Sequence, residues 1–254
     1  MNALRQGSVS WQLALPVGAL ALGFGALGVL GVRSGDFAFQ WQPVPPDVPA
    51  RATLAMIVGA LEVAAAAMLL PARLRAGGAW LAAVLLLGWT ALHAPDVARQ
   101  PAFVAAWLGI AESAAMASAA LMFAAEWAGI PAAGAIRRSA MAVFGLCALV
   151  FGLSHFVYAD FTASMIPAWL PQRVALAWFT GAAHALAGLA ILTGIRRTLA
   201  AALEGVMMAC FVVLVHLPRV LAHPDSRLEW TMLFVAVTLS ASAGLVAAIS
   251  ARTR

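Results

Sequence analysis

Three carboxylates, Glu62, Glu112 and Glu204, stand inside stretches of sequence that are otherwise apolar, and His184 stands in a fourth. An ionisable group is costly to bury in such a stretch and marks a functional position by default. Glu62 and Glu112 fall midway along their stretches. Glu204 follows Arg197 closely and is expected to reach the interface. His184 occupies, in an internal repeat described below, the place of Glu62. If the two face each other across a pseudo-twofold axis, a buried carboxylate–imidazole pair shifts both pKa values, and it can relay a proton or bind a quinone carbonyl. The alternative is a local hydrogen bond from each to a neighbouring helix. Glu62, Glu112 and His184 are therefore the candidate intramembrane polar site.

A second set lies towards one end of the chain's apolar stretches. His93 and His216 each close a stretch and are each followed by x-Pro. Helices commonly stop before proline, and a histidine there can bond the last carbonyls. His155 is expected to emerge on the same face, with Trp169 in the loop that follows. His93, His155, His216 and Trp169 form the candidate non-cytoplasmic-face site. Three histidines at one depth raise metal or haem ligation. No His-x-x-x-His, Cys-x-x-Cys or Glu-x-x-His spacing supports it, and neither group is expected. His223 reads as a loop residue. Cys147 and Cys210 are single and read as small hydrophobes.

These residues need elements to hold them, and composition names the kind. Of 254 residues, 64% are hydrophobic and 10% charged, against about 45–50% and about 25% in soluble domains. A polytopic membrane protein remains. A bilayer core needs about 20 apolar residues per helix, and eight stretches qualify, near 13–32, 52–71, 76–93, 102–125, 139–158, 174–194, 198–217 and 230–250. The first also fits a signal peptide after Arg5, but its apolar run is longer than the usual h-region; it is kept as a span.

The net charge of +5 comes from 15 basic residues, all arginine, against ten acids. Sorted by loop, Arg5, Arg73, Arg75, Arg137, Arg138, Arg196, Arg197, Arg252 and Arg254 lie on one side with Glu126. Arg33, Arg51, Arg99, Arg173, Arg219 and Arg227 lie on the other, balanced by Asp36, Asp47, Asp96, Asp160, Asp225 and Glu229. The positive-inside rule puts both termini in the cytoplasm, and the charge gives no reason to expect nucleic acid.

The chain also resembles itself at a period of 122–124 residues. Asp36-Phe37 aligns with Asp160-Phe161, and Pro43 with Pro167. Pro49-Ala50-Arg51 aligns with Pro171-Gln172-Arg173, Gly59-Ala60 with Gly181-Ala182, and Arg75 with Arg197. His93-Ala94-Pro95 lies on His216-Leu217-Pro218. The reading is two tandem four-helix units, 1–130 and 131–254. An even number of spans in each makes them parallel about an axis along the membrane normal. Small residues at four-residue steps, Ala21 with Gly25 and Gly181 with Ala185, predict close helix packing and would equally support oligomers. The Pro- and aromatic-rich segments 36–51 and 160–173 read as interfacial or re-entrant turns, or as a lid over a cavity.

Within the second unit, GLSHFVYADFTASMIPAWLPQRVALAWFTGAAHALAGLAIL (152–192) resembles the DoxX-like family of small four-helix bacterial membrane proteins. The resemblance rests on His-Phe near the end of one helix, an Ile-Pro-x-Trp-Leu-Pro loop, then Thr-Gly and a Gly-Leu run with an Arg pair behind, and later VHLPRV (215–220). The first unit is a degenerate copy, with Gly31 where His155 would stand. The resemblance implies a four-helix bundle in the bacterial inner membrane. Some members resemble membrane subunits of thiosulfate:quinone oxidoreductase, so the expected role is a redox-linked, quinone-associated subunit in the lipid bilayer with a redox partner protein. A non-catalytic scaffold and a small-molecule or proton-coupled transporter are the alternatives.

Overall fold

The structure is a computed structural model that describes residues 11–38 and 41–252; Arg5 and Arg254 lie outside the described residues. These fold into α1 (Trp11–Ser34), α2 (Arg51–Leu69), α3 (Arg75–Arg99), α4 (Val104–Ala128), α5 (Ala133–Val157), α6 (Ala159–Met165), α7 (Arg173–Thr193), α8 (Arg197–Phe211), α9 (Leu217–Ala222) and α10 (Arg227–Arg252). A π-helical turn, Val212–His216, joins α8 to α9. No strand occurs among the described residues. Where hydrocarbon surrounds the chain, each backbone polar group must be satisfied within the segment, which leaves the helix as the form open to an apolar run. Eight helices are long and apolar enough to cross a membrane, with α8, the π turn and α9 counted as one span, and the chain is read as a multi-pass membrane protein.

Two ends differ from the sequence expectation. The third and seventh spans do not stop at His93 and His216. The chain stays helical through Pro95 to Arg99 and through Pro218 to Ala222. A proline removes one donor, but ending a helix at that depth would free several backbone groups at once. Ahead of Pro218 the backbone widens into the π turn, so the seventh span is not the unbroken helix its composition suggests.

Each long helix packs along the next: α1 on α2, α2 on α3, α3 on α4, α4 on α5, α5 on α7, α7 on α8, α8 on α10, and α10 back on α1. Around this closed ring α4 and α10 also meet across the middle. They are the two most buried spans, at 72% and 67%. Glycines set the closest approaches. A Cβ on Gly59 would lie 2.6 Å from the Gly28 carbonyl oxygen, and one on Gly152 would lie 2.7 Å from that of Gly181. Such backbone-to-backbone approach is how small residues drive helix association in lipid.

Polar contacts fasten the ends. Arg227 donates to the Asp36 carbonyl at 2.6 Å, tying the start of α10 to the segment after α1. The Ala105 N–H donates to the Tyr158 hydroxyl at 3.1 Å, tying the start of α4 to the end of α5. At the opposite end Arg137 pairs with Glu126 between α5 and α4. There too Arg75 caps α2 by donating to the Leu69 and Leu70 carbonyls, and it lies over the Trp127 ring.

Candidate functional site

The segment between α1 and α2 enters the bundle. Phe37, Trp41 and Gln42 are all buried. Gln42 Nε2 donates to Glu62 Oε1 at 3.2 Å, and Trp89 Nε1 donates to the same oxygen at 3.0 Å. Phe37 and Trp41 pack on Trp89 with ring centroids 5.8 and 6.3 Å away. His93 Nε2 faces the Trp41 carbonyl at 3.3 Å, and its ring presses on Gly109 of α4, where no Cβ would fit. Glu62 and His93 are thus enclosed by the chain's own aromatic loop. The histidine bonds a loop carbonyl, where a carbonyl at its own helix end was expected.

Outside the bundle the same segment is clasped by ions. Arg51 pairs with Asp36 at 2.6 Å, donates to the Val44 and Pro45 carbonyls, and lies over the Phe37 ring. Desolvation acts to raise the Asp36 carboxyl. Hydrogen bonds from the Phe37 N–H and Arg51, with the charges of Arg51 and Arg227, outweigh it and hold the group below its ordinary value.

The counterpart segment after α5 behaves differently. It forms α6, which leaves a cavity of about 460 Å³ beneath it, walled by α4, α5, α7, α8, the π turn and α10. Phe161, Thr162 and Met165 of α6 line it, so here the chain covers a cavity where the first segment fills the bundle. The walls are mostly apolar. The Ser154 and Thr180 hydroxyls that reach it bond back to carbonyls of their own helices.

His184 borders this cavity on α7. Its Nδ1 lies 2.6 Å from Glu204 Oε1 of α8, and both side chains are fully buried. With Nδ1 carrying the proton, the carboxylate accepts it and fixes the ring. Nε2, on the other side, is buried without a protein partner. A carboxylate that holds one imidazole nitrogen defines the tautomer and the role of the other. The His155 ring lies 4.9 Å from that of His184 and stacks on Phe211. His155 Nδ1 is 2.8 Å from the Phe151 carbonyl, to which it donates. His216, the last residue of the π turn, lines the cavity and leaves Nδ1 unpartnered among the described residues. Glu112 reaches the cavity from α4.

The structure therefore regroups the candidates. Glu112, His155, His184 and His216 share one cavity. Glu62 and His184 do not pair; each has its own hydrogen-bond partners. Trp169 is 71% exposed and does not line the cavity. Glu204 does not reach an interface: at 1% exposure it is the hydrogen-bond partner of His184. Its place was legible in the sequence. The α7–α8 hairpin turns at Gly194 (φ 80°), and His184 and Glu204 stand equally far before and after that glycine, hence at one depth. Gln42 and Trp89 carried no comparable signal.

A family model described as a domain of unknown function (DUF8561) matches residues 144–235, which span the C-terminal part of α5 through the first turns of α10. The match takes in His155, His184, Glu204 and His216 and leaves Glu112 outside. No curated protein matches the chain, and no solved structure does.

Proposed function

We propose that this protein is a multi-pass bacterial inner-membrane protein of the DoxX-like type, built as two tandem four-helix units, that binds a quinone or quinol in the cavity beneath α6. A partner protein supplies the electron chemistry. Both termini face the cytoplasm, and the cavity opens towards the other side.

Three observations support the tandem reading. The helix-neighbour order repeats, with α1-α2-α3-α4 matched by α5-α7-α8-α10. The close glycine pairs Gly28–Gly59 and Gly152–Gly181 fall at the repeat's spacing. The left-handed residues Ala50 (φ 53°) and Gln172 (φ 52°) precede α2 and α7 at aligned positions.

The observation that carries the ligand reading is the unpartnered Nε2 of His184 beside a mostly apolar cavity. A lipid-soluble molecule with a polar ring oxygen matches both properties. When Glu204 holds Nδ1–H, Nε2 accepts a hydrogen bond from a quinol hydroxyl. When the ring carries two protons, the same nitrogen donates to a quinone carbonyl. The stacked rings of His155 and Phe211 offer a flat wall for the headgroup.

The test is direct binding of a decyl-1,4-hydroquinone and its quinone to the full chain in lipid nanodiscs. Saturable binding is expected, weakened about tenfold or more in His184→Leu, as for the loss of one buried hydrogen bond of about 1.4 kcal/mol. Equal binding by the parent and His184→Leu would remove the basis of this reading.

A further inference from the structure

The cavity has a second polar wall that the binding of one ring oxygen leaves unused. Glu112 lies on α4, between fully buried neighbours Ala111 and Ser113, yet is itself only half-buried. It lines the cavity. Among the described residues each of the other span carboxylates has a partner, Glu62 in Gln42 and Trp89, Asp96 in Arg99, Glu126 in Arg137, Glu204 in His184 and Glu229 in Arg219, although the second oxygens of Glu62 and Glu204 are buried without one. Glu112 has no hydrogen bond or ion pair among the described residues. An ionisable group kept without a partner inside a span is explained by what it meets in the space it faces.

The position of Glu112 also matters. His184 comes from α7 and Glu112 from α4, and these helices are not neighbours in the ring. Each has α5 between itself and the other. The two groups therefore approach the cavity from different walls, with apolar side chains such as Leu108, Phe151 and Leu239 among the rest of its lining. A polar group on each of two walls of a mostly apolar cavity, which His155 and His216 also line, fits a flat, apolar ligand with an oxygen at each end of the ring.

We propose that Glu112 is a second anchor for the ligand and takes the ring oxygen that His184 does not, so that the site selects para-dioxygenated rings over singly oxygenated ones. The inference rests on the binding reading above. It adds that the site is incomplete without α4, which lies outside the segment the family model matches. Glu112 is a binding residue in this account, and no chemical step is assigned to it.

The experiment compares decyl-1,4-hydroquinone with its two monomethyl ethers, each titrated into the full chain in nanodiscs. The parent is expected to prefer the free hydroquinone over at least one ether by about tenfold, the worth of one buried hydrogen bond. In Glu112→Leu that preference is expected to fall to about onefold. Glu112→Gln, which keeps a hydrogen-bonding group of the same shape, retains part of it. His184→Leu weakens all three ligands. A parent that binds hydroquinone and both ethers equally overturns the second anchor while leaving the His184 reading intact. So does Glu112→Leu if it keeps the full preference, or if it loses affinity for every ligand alike with the preference unchanged, as a merely structural residue would. Absence of saturable hydroquinone binding to the parent overturns the underlying reading and this inference with it.

Discussion

At the scale of single residues, the His184–Glu204 pair dominates. Breaking a buried pair by removing one partner leaves the other polar group uncompensated and costs about 3–5 kcal/mol. His184→Leu is accordingly expected to destabilise the protein by about 3 kcal/mol in a denaturant titration of mixed micelles. The double variant His184→Leu/Glu204→Leu recovers most of that loss, because an apolar pair of similar volume needs no compensation. A double variant no more stable than the single one would show that the carboxylate is not the source of the cost. The pair also shows where sequence reasoning ran short. The distance from Arg197 places Glu204 at an interface; counted from Gly194 it lies level with His184. Glu62 reads as an intramembrane acid, but the indole and carboxamide that bond its Oε1 arrive from a distant helix and from a proline-rich loop. No local pattern announces that a loop residue such as Gln42 will turn inward.

At the scale of elements, the helices were legible and their irregularities were not. The α5–α7 contact gives a clean test of glycine packing. A Cβ on Gly152 would meet the Gly181 carbonyl oxygen at 2.7 Å, whereas one on Gly18 or Gly88 meets nothing within 4 Å. Gly152→Ala is expected to destabilise by about 1–3 kcal/mol through overpacking. Gly88→Ala, with open space and better helix propensity, is expected to stabilise by up to about 1 kcal/mol. Thermal unfolding of the two variants checks both signs, and a shift in the same direction for both would sink the contrast.

The clasp at the start of α2 gives a pH signature. Asp36 is held below its ordinary value in the folded chain. Its contribution is present above the unfolded value and is lost as pH falls through the folded one, a window that opens below the ordinary aspartate value of 3.8. Asp36→Asn lacks that loss, so the stability difference between parent and variant narrows as the pH drops through the window. A constant difference across it would remove Asp36 from the account. The hydrophobic run of the seventh span predicted a helix and could not reveal the π turn, because a single wide turn changes no residue's polarity. Its last residue, His216, lines the cavity.

At the scale of the whole molecule, composition fixed the class and arginine placement fixed the expected orientation. In a background lacking Cys147 and Cys210, a cysteine at Trp169 is expected to react with an impermeant maleimide added outside intact cells. One at Ala132, in the exposed α4–α5 turn, is expected to stay protected until the membrane is opened. The reverse pattern would invert the orientation and place the α6 end in the cytoplasm. The helix order around the ring was not legible in this way. Apolar stretches specify that helices form and how deep they lie, but which faces meet is decided by small-residue contacts such as Gly28 with Gly59, and every span carries several glycines or alanines that could serve.

The closed ring has a genetic consequence. α10 runs back along α1: a Cβ on Gly244 would touch Pro16, and one on Gly23 would meet the backbone of Thr238. The start of α1 and the end of α10 therefore lie side by side, much as the end of α4 and the start of α5 do across residues 129–132. A gene reordered to begin at Ala133, run through Arg252, cross a short polar linker to Trp11 and finish at Gly129 would encode the same set of neighbours. Such a permuted protein is expected to insert and to retain the cavity, and the break between α4 and α5 marks where a split gene would yield two chains able to reassemble.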